Sequence, residues 1–68
     1  MFTIEFIAVR GRHYPAVVKA INSSDTEVTA VERAATTLLR VLQEESSAAD
    51  RPDSYRIVDA SGIVVRRP

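Results

Sequence analysis

The sequence has no cysteine and no tryptophan, a single histidine, two glycines and three prolines. Without cysteine there is no disulfide staple and no thiolate metal site, and one histidine cannot make a His-rich metal site. Gly11 and Gly62 both fall where turns are expected, so no glycine is left for a phosphate-cradling loop, and neither a nucleophile elbow nor a zinc pattern occurs. His13 has no Cys, Ser–Asp pair or second His arranged with it and is not read as a catalytic base. No apolar run approaches the roughly 18 residues of a membrane-spanning helix. The opening run, MFTIEFIAVRGR, has no basic region ahead of its apolar residues, so it does not read as a secretory signal, and the expected location is the cytoplasm. Asn22-Ser23-Ser24 matches the glycosylation sequon and is read as chance in a chain without an export signal. These absences weigh against an enzyme, and neither a cofactor nor a metal is expected.

What is present is a folded-protein composition, 46% hydrophobic over 68 residues, which makes one domain spanning residues 1–68. A chain this short buries only about 60% of the surface its unfolded form exposes, so a lone core is marginal. With no staple, the remaining stabilisers are oligomerisation, a partner or unusually good packing.

The chain is organised around residues 24–45, SDTEVTAVERAATTLLRVLQEE. Val28, Val31, Ala34, Ala35, Leu38, Leu39, Val41 and Leu42 recur at helical spacing, while Glu27, Glu32, Arg33, Thr36, Thr37, Arg40, Glu44 and Glu45 fall mostly on the opposite face. Two capping boxes compete for the start, Ser24 with Glu27 and Thr29 with Glu32, and the earlier is favoured because Val28 and Val31 extend the stripe. Ser46, Ser47, Asp50 and Pro52 end the helix. The stripe is expected to bury Val31, Ala34, Leu38 and Leu42.

Both flanks read as β-hairpins. Residues 2–21 carry two strands rich in Phe, Ile and Val around Arg10-Gly11-Arg12-His13, and Gly11 suits a two-residue II′ turn. That turn pairs Val9 with Tyr14, Phe6 with Val17 and Phe2 with Ile21. Phe2, Ile4, Phe6, Ala8, Val17 and Ile21 then share the face expected to take the helix, and Ile7, Val9, Tyr14 and Val18 form an apolar patch on the other. Pro15 marks a strand start or an edge. In residues 55–66, Asp59-Ala60-Ser61-Gly62 predicts a type I turn with Gly62 left-handed. The register places Val58 opposite Val64, Ile57 opposite Val65 and Arg56 opposite Arg66, with Tyr55, Ile57, Ile63 and Val65 on one face. Like charges directly opposite destabilise a strand pair. Either the register differs or an acid lies between the arginines: Glu5, a partner carboxylate or a phosphate.

The expected architecture is therefore α+β, a ββαββ antiparallel four-stranded sheet with one amphipathic helix on a single face. Residues 22–53 hold seven acids against three bases, net −4, and the remainder six bases against two acids, net +4. The helix side is acidic and the strand side basic, with Arg10 and Arg12 at the first turn and Arg56 and Arg66 in the last hairpin.

Two strands, a capped helix and a closing hairpin written YRIVDASGIVV resemble the layout of small phage and mobile-element ββαββ proteins, anti-CRISPR proteins among them, which bind an effector complex and block it. The layout is also similar to antitoxin half-domains of HicB type, although their DNA-binding segment has no counterpart here. The resemblance implies a small non-enzymatic interaction module, an inhibitor that occupies a host complex, with a protein partner or a second copy of itself on the open sheet face. The residues expected to make that contact are Ile7, Val9, Arg10, Arg12, Tyr14, Val18, Arg56 and Arg66. The alternatives are a structural homodimer and a nucleic-acid binder using Arg10, Arg12, Lys19, Arg56, Arg66 and Arg67, with Tyr14 or Tyr55 stacking on bases. Zero net charge and few aromatics weigh against the last.

Overall fold

The computed structural model describes residues 1–9 and 15–68. Along the chain it builds β1 (Phe2–Ala8), β2 (Ala16–Ser23), α1 (Val28–Glu45), β3 (Ser54–Val58) and β4 (Val64–Arg66), the expected α+β order. The strands form one antiparallel sheet in the order β2-β1-β3-β4, and α1 packs on one face over β1 and β3. The two hairpins, whose relative placement the sequence leaves open, join within a single chain: Ile4 lies opposite Ile57, Glu5 opposite Arg56 and Ile7 opposite Ser54.

The period-2 pattern of β1 sends Ile4 and Phe6 towards the helix, where they meet Tyr55 and Ile57 of β3 and Val31 and Ala35 of α1. Phe2, Ile21, Val28, Leu38, Leu39, Leu42 and Val65 pack around this centre. Side chains as large as Phe6 and Ile57, both wholly shielded from solvent, contribute about 1.5–3 kcal/mol each. Pro52, read from sequence only as a helix stop, is itself a fully buried side chain.

The helix differs from expectation at its start and in its phase. It begins at Val28 with Glu27 as N-cap, and no side chain caps it, so neither box forms. The short side chains upstream are used locally instead: Ser23 Oγ accepts the Asp25 N–H at 3.2 Å and Asp25 Oδ1 accepts the Glu27 N–H at 3.0 Å. Such side-chain turns compete with helix formation, which is why the helix starts four residues after Ser24. The end is as expected, with the Ser46 N–H donating to Leu42 O at 2.9 Å. Ala35 is buried and Ala34 is exposed, so the stripe is centred on Val31, Ala35, Leu38 and Leu42.

Each hairpin carries a bulge that re-aims side chains. In the first, Ile4 pairs with Ile21 and Phe6 with Lys19, then Ile7 pairs with Val17, leaving Val18 as the extra residue. The pairing is displaced by two residues from the expected one, which preserves faces, but the bulge reverses them beyond Lys19. Val17 therefore lies opposite Ile7 on the open face instead of under the helix. The Gly11 turn and the Val9–Tyr14 pair fall outside the described residues. In the second hairpin the turn forms as expected: the Gly62 N–H donates to Asp59 O at 3.0 Å, Gly62 has φ of +82°, and Asp59 Oδ1 accepts the Ser61 and Ile63 N–H groups. Val58 meets Val64, but Ile57 meets Arg66, so Val65 is the extra residue and Arg56 and Arg66 do not face each other. Ile63, expected to share a face with Tyr55, Ile57 and Val65, is 61% exposed beside the turn.

The helix phase yields a paired test. Ala34→Glu should change stability by less than about 0.5 kcal/mol in urea denaturation, because it adds a charge in water to a good helix position. Ala35→Glu should cost more than about 3 kcal/mol, because it places an unpaired carboxylate against Phe6 and Ile57. Equal costs would contradict the observed phase.

Candidate functional site

The face of the sheet turned away from α1 is built in cross-strand rows. Val17, Ile7 and Ser54 form one; Ala20, Glu5 and Arg56 the next; Asn22, Thr3, Val58 and Val64 the last. Thr3, Ala20, Asn22 and Ser54 are small, so no long side chain roofs the face except the Glu5–Arg56 pair. Arg56 Nε donates to Glu5 Oε1 at 2.6 Å, with the two side chains 38% and 24% exposed. The expected Arg56–Arg66 apposition is absent because the register differs, and Glu5 pairs with Arg56 alone, as its cross-strand neighbour on β1.

Beside that pair an open groove of about 390 Å³ is lined by Ile7, Val9, Pro15, Ser54, Tyr55, Arg56, Arg67 and Pro68. Ile7, expected as part of an exposed patch, is only 8% exposed and forms its floor, because it sits on an interior strand between Val17 and Ser54. Val9 is 50% exposed. It is pinned just past the end of β1 by Asp53, whose N–H donates to Ile7 O at 2.7 Å and whose Oδ2 accepts the Val9 N–H at 2.6 Å. Asp53 extends the β1–β3 ladder by one residue and so fixes the wall of the groove.

The other expected contact residues separate. Val18 does not line this groove; the bulge brings it beside the end of α1, into a depression shared with Lys19, Leu42, Ser46, Asp50 and Pro52. Arg66 lies on the helix side, where its Nε donates to Glu32 Oε1 at 3.1 Å. The bulge at Val65 places it there, so it does not join Arg56. Arg10, Arg12 and Tyr14 fall outside the described residues. Of the six bases considered for nucleic acid, Arg56 and Arg66 are thus held by carboxylates, whereas Lys19 and Arg67 make no ion pair among the described residues. Pro15 and Ser54 were not singled out as contact residues from sequence, and Tyr55 only for stacking on bases, because their place beside Ile7 depends on the β1–β3 register, which no local signal sets.

A larger trough of about 540 Å³ runs between α1 and Tyr55, walled by Thr29, Glu32, Arg33, Thr36 and Thr37. Apart from Tyr55 its walls are polar or charged, and Glu32 is already engaged by Arg66. Among the described residues no group of three or more His, Asp or Glu side chains is placed to hold a metal ion, and no helix is long and apolar enough to cross a membrane. The chain matches no protein-family model, no curated protein and no solved structure.

The Glu5–Arg56 pair is half-exposed, so its value is set by solvent screening. A double-mutant cycle with Glu5→Gln and Arg56→Gln, read by denaturation, should give a coupling of about 0.2–1 kcal/mol that shrinks as salt rises. A coupling insensitive to salt would contradict the assignment of this pair to a water-facing surface.

Proposed function

We propose that this chain is a non-enzymatic protein-interaction module acting in the cytoplasm, and that it works by laying the open face of its sheet on a partner protein. One observation carries the reading: the helix covers a single face, and the opposite face presents a groove floored by Ile7, walled by Val9 and Pro15, and edged by Arg56 and Arg67. Apolar surface rimmed by polar groups is the usual mark of a contact site. An inhibitor that blocks a host complex by occupying it, the mode implied by the likeness in layout to anti-CRISPR proteins, needs shape and charge complementarity and no catalytic pocket. Self-association through the same face is the competing use of the same apolar surface.

Affinity capture from host lysate, compared across variants by quantitative mass spectrometry, tests this. Val9→Asp and Val17→Asp alter exposed side chains of the open face and should deplete a protein captured by the wild-type chain at least tenfold. Thr37→Ala, on the outer face of α1, should leave it unchanged. No specific protein captured by wild type, or loss through Thr37→Ala with retention by both sheet variants, would overturn the reading. Gel filtration of the same variants identifies self-association, which appears as a dimer of wild type lost in Val17→Asp.

A further inference from the structure

We propose that the open-face groove takes an extended acidic segment of the partner, with one apolar side chain seated on Ile7, Val9 and Pro15 and a carboxylate two residues away held by Arg56 and Arg67. This rests on the reading of the open face as the partner surface and names the chemistry of what lies there.

Arg56 supplies the main argument. A guanidinium carries five N–H donors in a fixed fork. Glu5 occupies Nε, and the two terminal nitrogens make no hydrogen bond among the described residues. The ion pair therefore orients Arg56 while leaving the end of its fork free, the edge that binds a carboxylate with two parallel hydrogen bonds. Arg67, across the same groove, has no ion-pair partner among the described residues and adds a second cation.

Hydrogen-bonding capacity selects the class of ligand. Asp53 at the groove wall offsets Arg67 as Glu5 offsets Arg56, so the groove carries no net surplus of charge. The unoccupied end of the Arg56 fork is filled by one carboxylate. A nucleic-acid strand gains its affinity from many phosphates neutralised together, which this groove does not offer. Spacing then sets the pattern. Ile7 is in row with Ser54 and Arg56 with Glu5, so the row that carries the apolar floor and the row that carries the Glu5–Arg56 pair are two residues apart along the strands. That is about 6.8 Å, the distance between side chains i and i+2 on one face of an extended peptide. The preferred segment accordingly reads apolar, any residue, then Asp or Glu, in either chain direction.

The test uses the intact chain and a random peptide library displayed on phage. Panning should enrich peptides that carry an apolar residue and Asp or Glu two positions apart. A fluorescein-labelled synthetic peptide of the enriched sequence, titrated by anisotropy, should bind about tenfold more weakly when its acid is changed to Gln. Arg67→Gln in the protein should weaken binding by a similar factor, and so should Arg56→Lys, which keeps the charge and removes the fork. Thr37→Ala should change nothing. Arg67 takes part in no core contact, so its variant reports on binding even if Arg56→Lys disturbs the sheet. Enrichment of peptides without an acid, no enrichment, or indifference to Arg67→Gln would overturn the acidic-segment assignment. Those outcomes would leave the interaction reading standing wherever capture remains sensitive to Val9→Asp. Displacement of the peptide by a 20-nucleotide single strand, with affinity falling steeply in salt, would overturn it in favour of nucleic acid.

Discussion

A helix is about 10 Å across and neighbouring strands are about 4.8 Å apart, so one helix shelters two strands. α1 has 18 residues and lies over β1 and β3, the two interior strands, and the rest of the molecule follows from that choice. β1 and β3 contribute Ile4, Phe6, Tyr55 and Ile57 to the core. β2, the longest strand, is left exposed over residues 16–20 and lies at one edge of the sheet. Such an edge invites pairing with other chains. The bulge at Val18 and the charge of Lys19 both lie within its exposed part and blunt it.

Charge is distributed to serve the same geometry. Two ion pairs lie on opposite sides of the sheet: Glu5 with Arg56 on the open face and Glu32 with Arg66 on the helix side. Both are water-facing, and pairs of this kind are worth little to stability. Their effect is positional. Glu32 holds Arg66 on the helix side, where the bulge at Val65 places it, and Glu5 holds Arg56 on the open face. The chain as a whole carries zero net charge.

The features legible in sequence were those with local causes. The element order, the end of the helix, the turn at Asp59–Gly62 and the Phe-rich inner face of β1 each follow from periodicity, from breakers or from a glycine in left-handed conformation. The missed features were set by partners distant in sequence. Ser23 and Asp25 have both a capping and a turn use, and only the path of the chain from β2 decides between them. A bulge inserts one residue without a strong sequence mark, so Val17, Val18 and Arg66 were assigned to the wrong faces. The groove needed the β1–β3 register, which brings Ile7 beside Ser54 and Glu5 beside Arg56 from opposite ends of the sequence. The like-charge conflict between Arg56 and Arg66 was a readable sign that the simple hairpin register fails, and the bulge at Val65 is how it fails.

The central claim is that the helix leaves one face of this sheet open to solvent in the free chain. Paramagnetic relaxation of side-chain methyl groups by a soluble gadolinium chelate measures that exposure directly. The account predicts strong relaxation at Val9 and Val17 and protection at Ile4 and Ile57. Val9 and Val17 methyls as protected as those of Ile57 would contradict it, because the open face would then already be covered in the free protein.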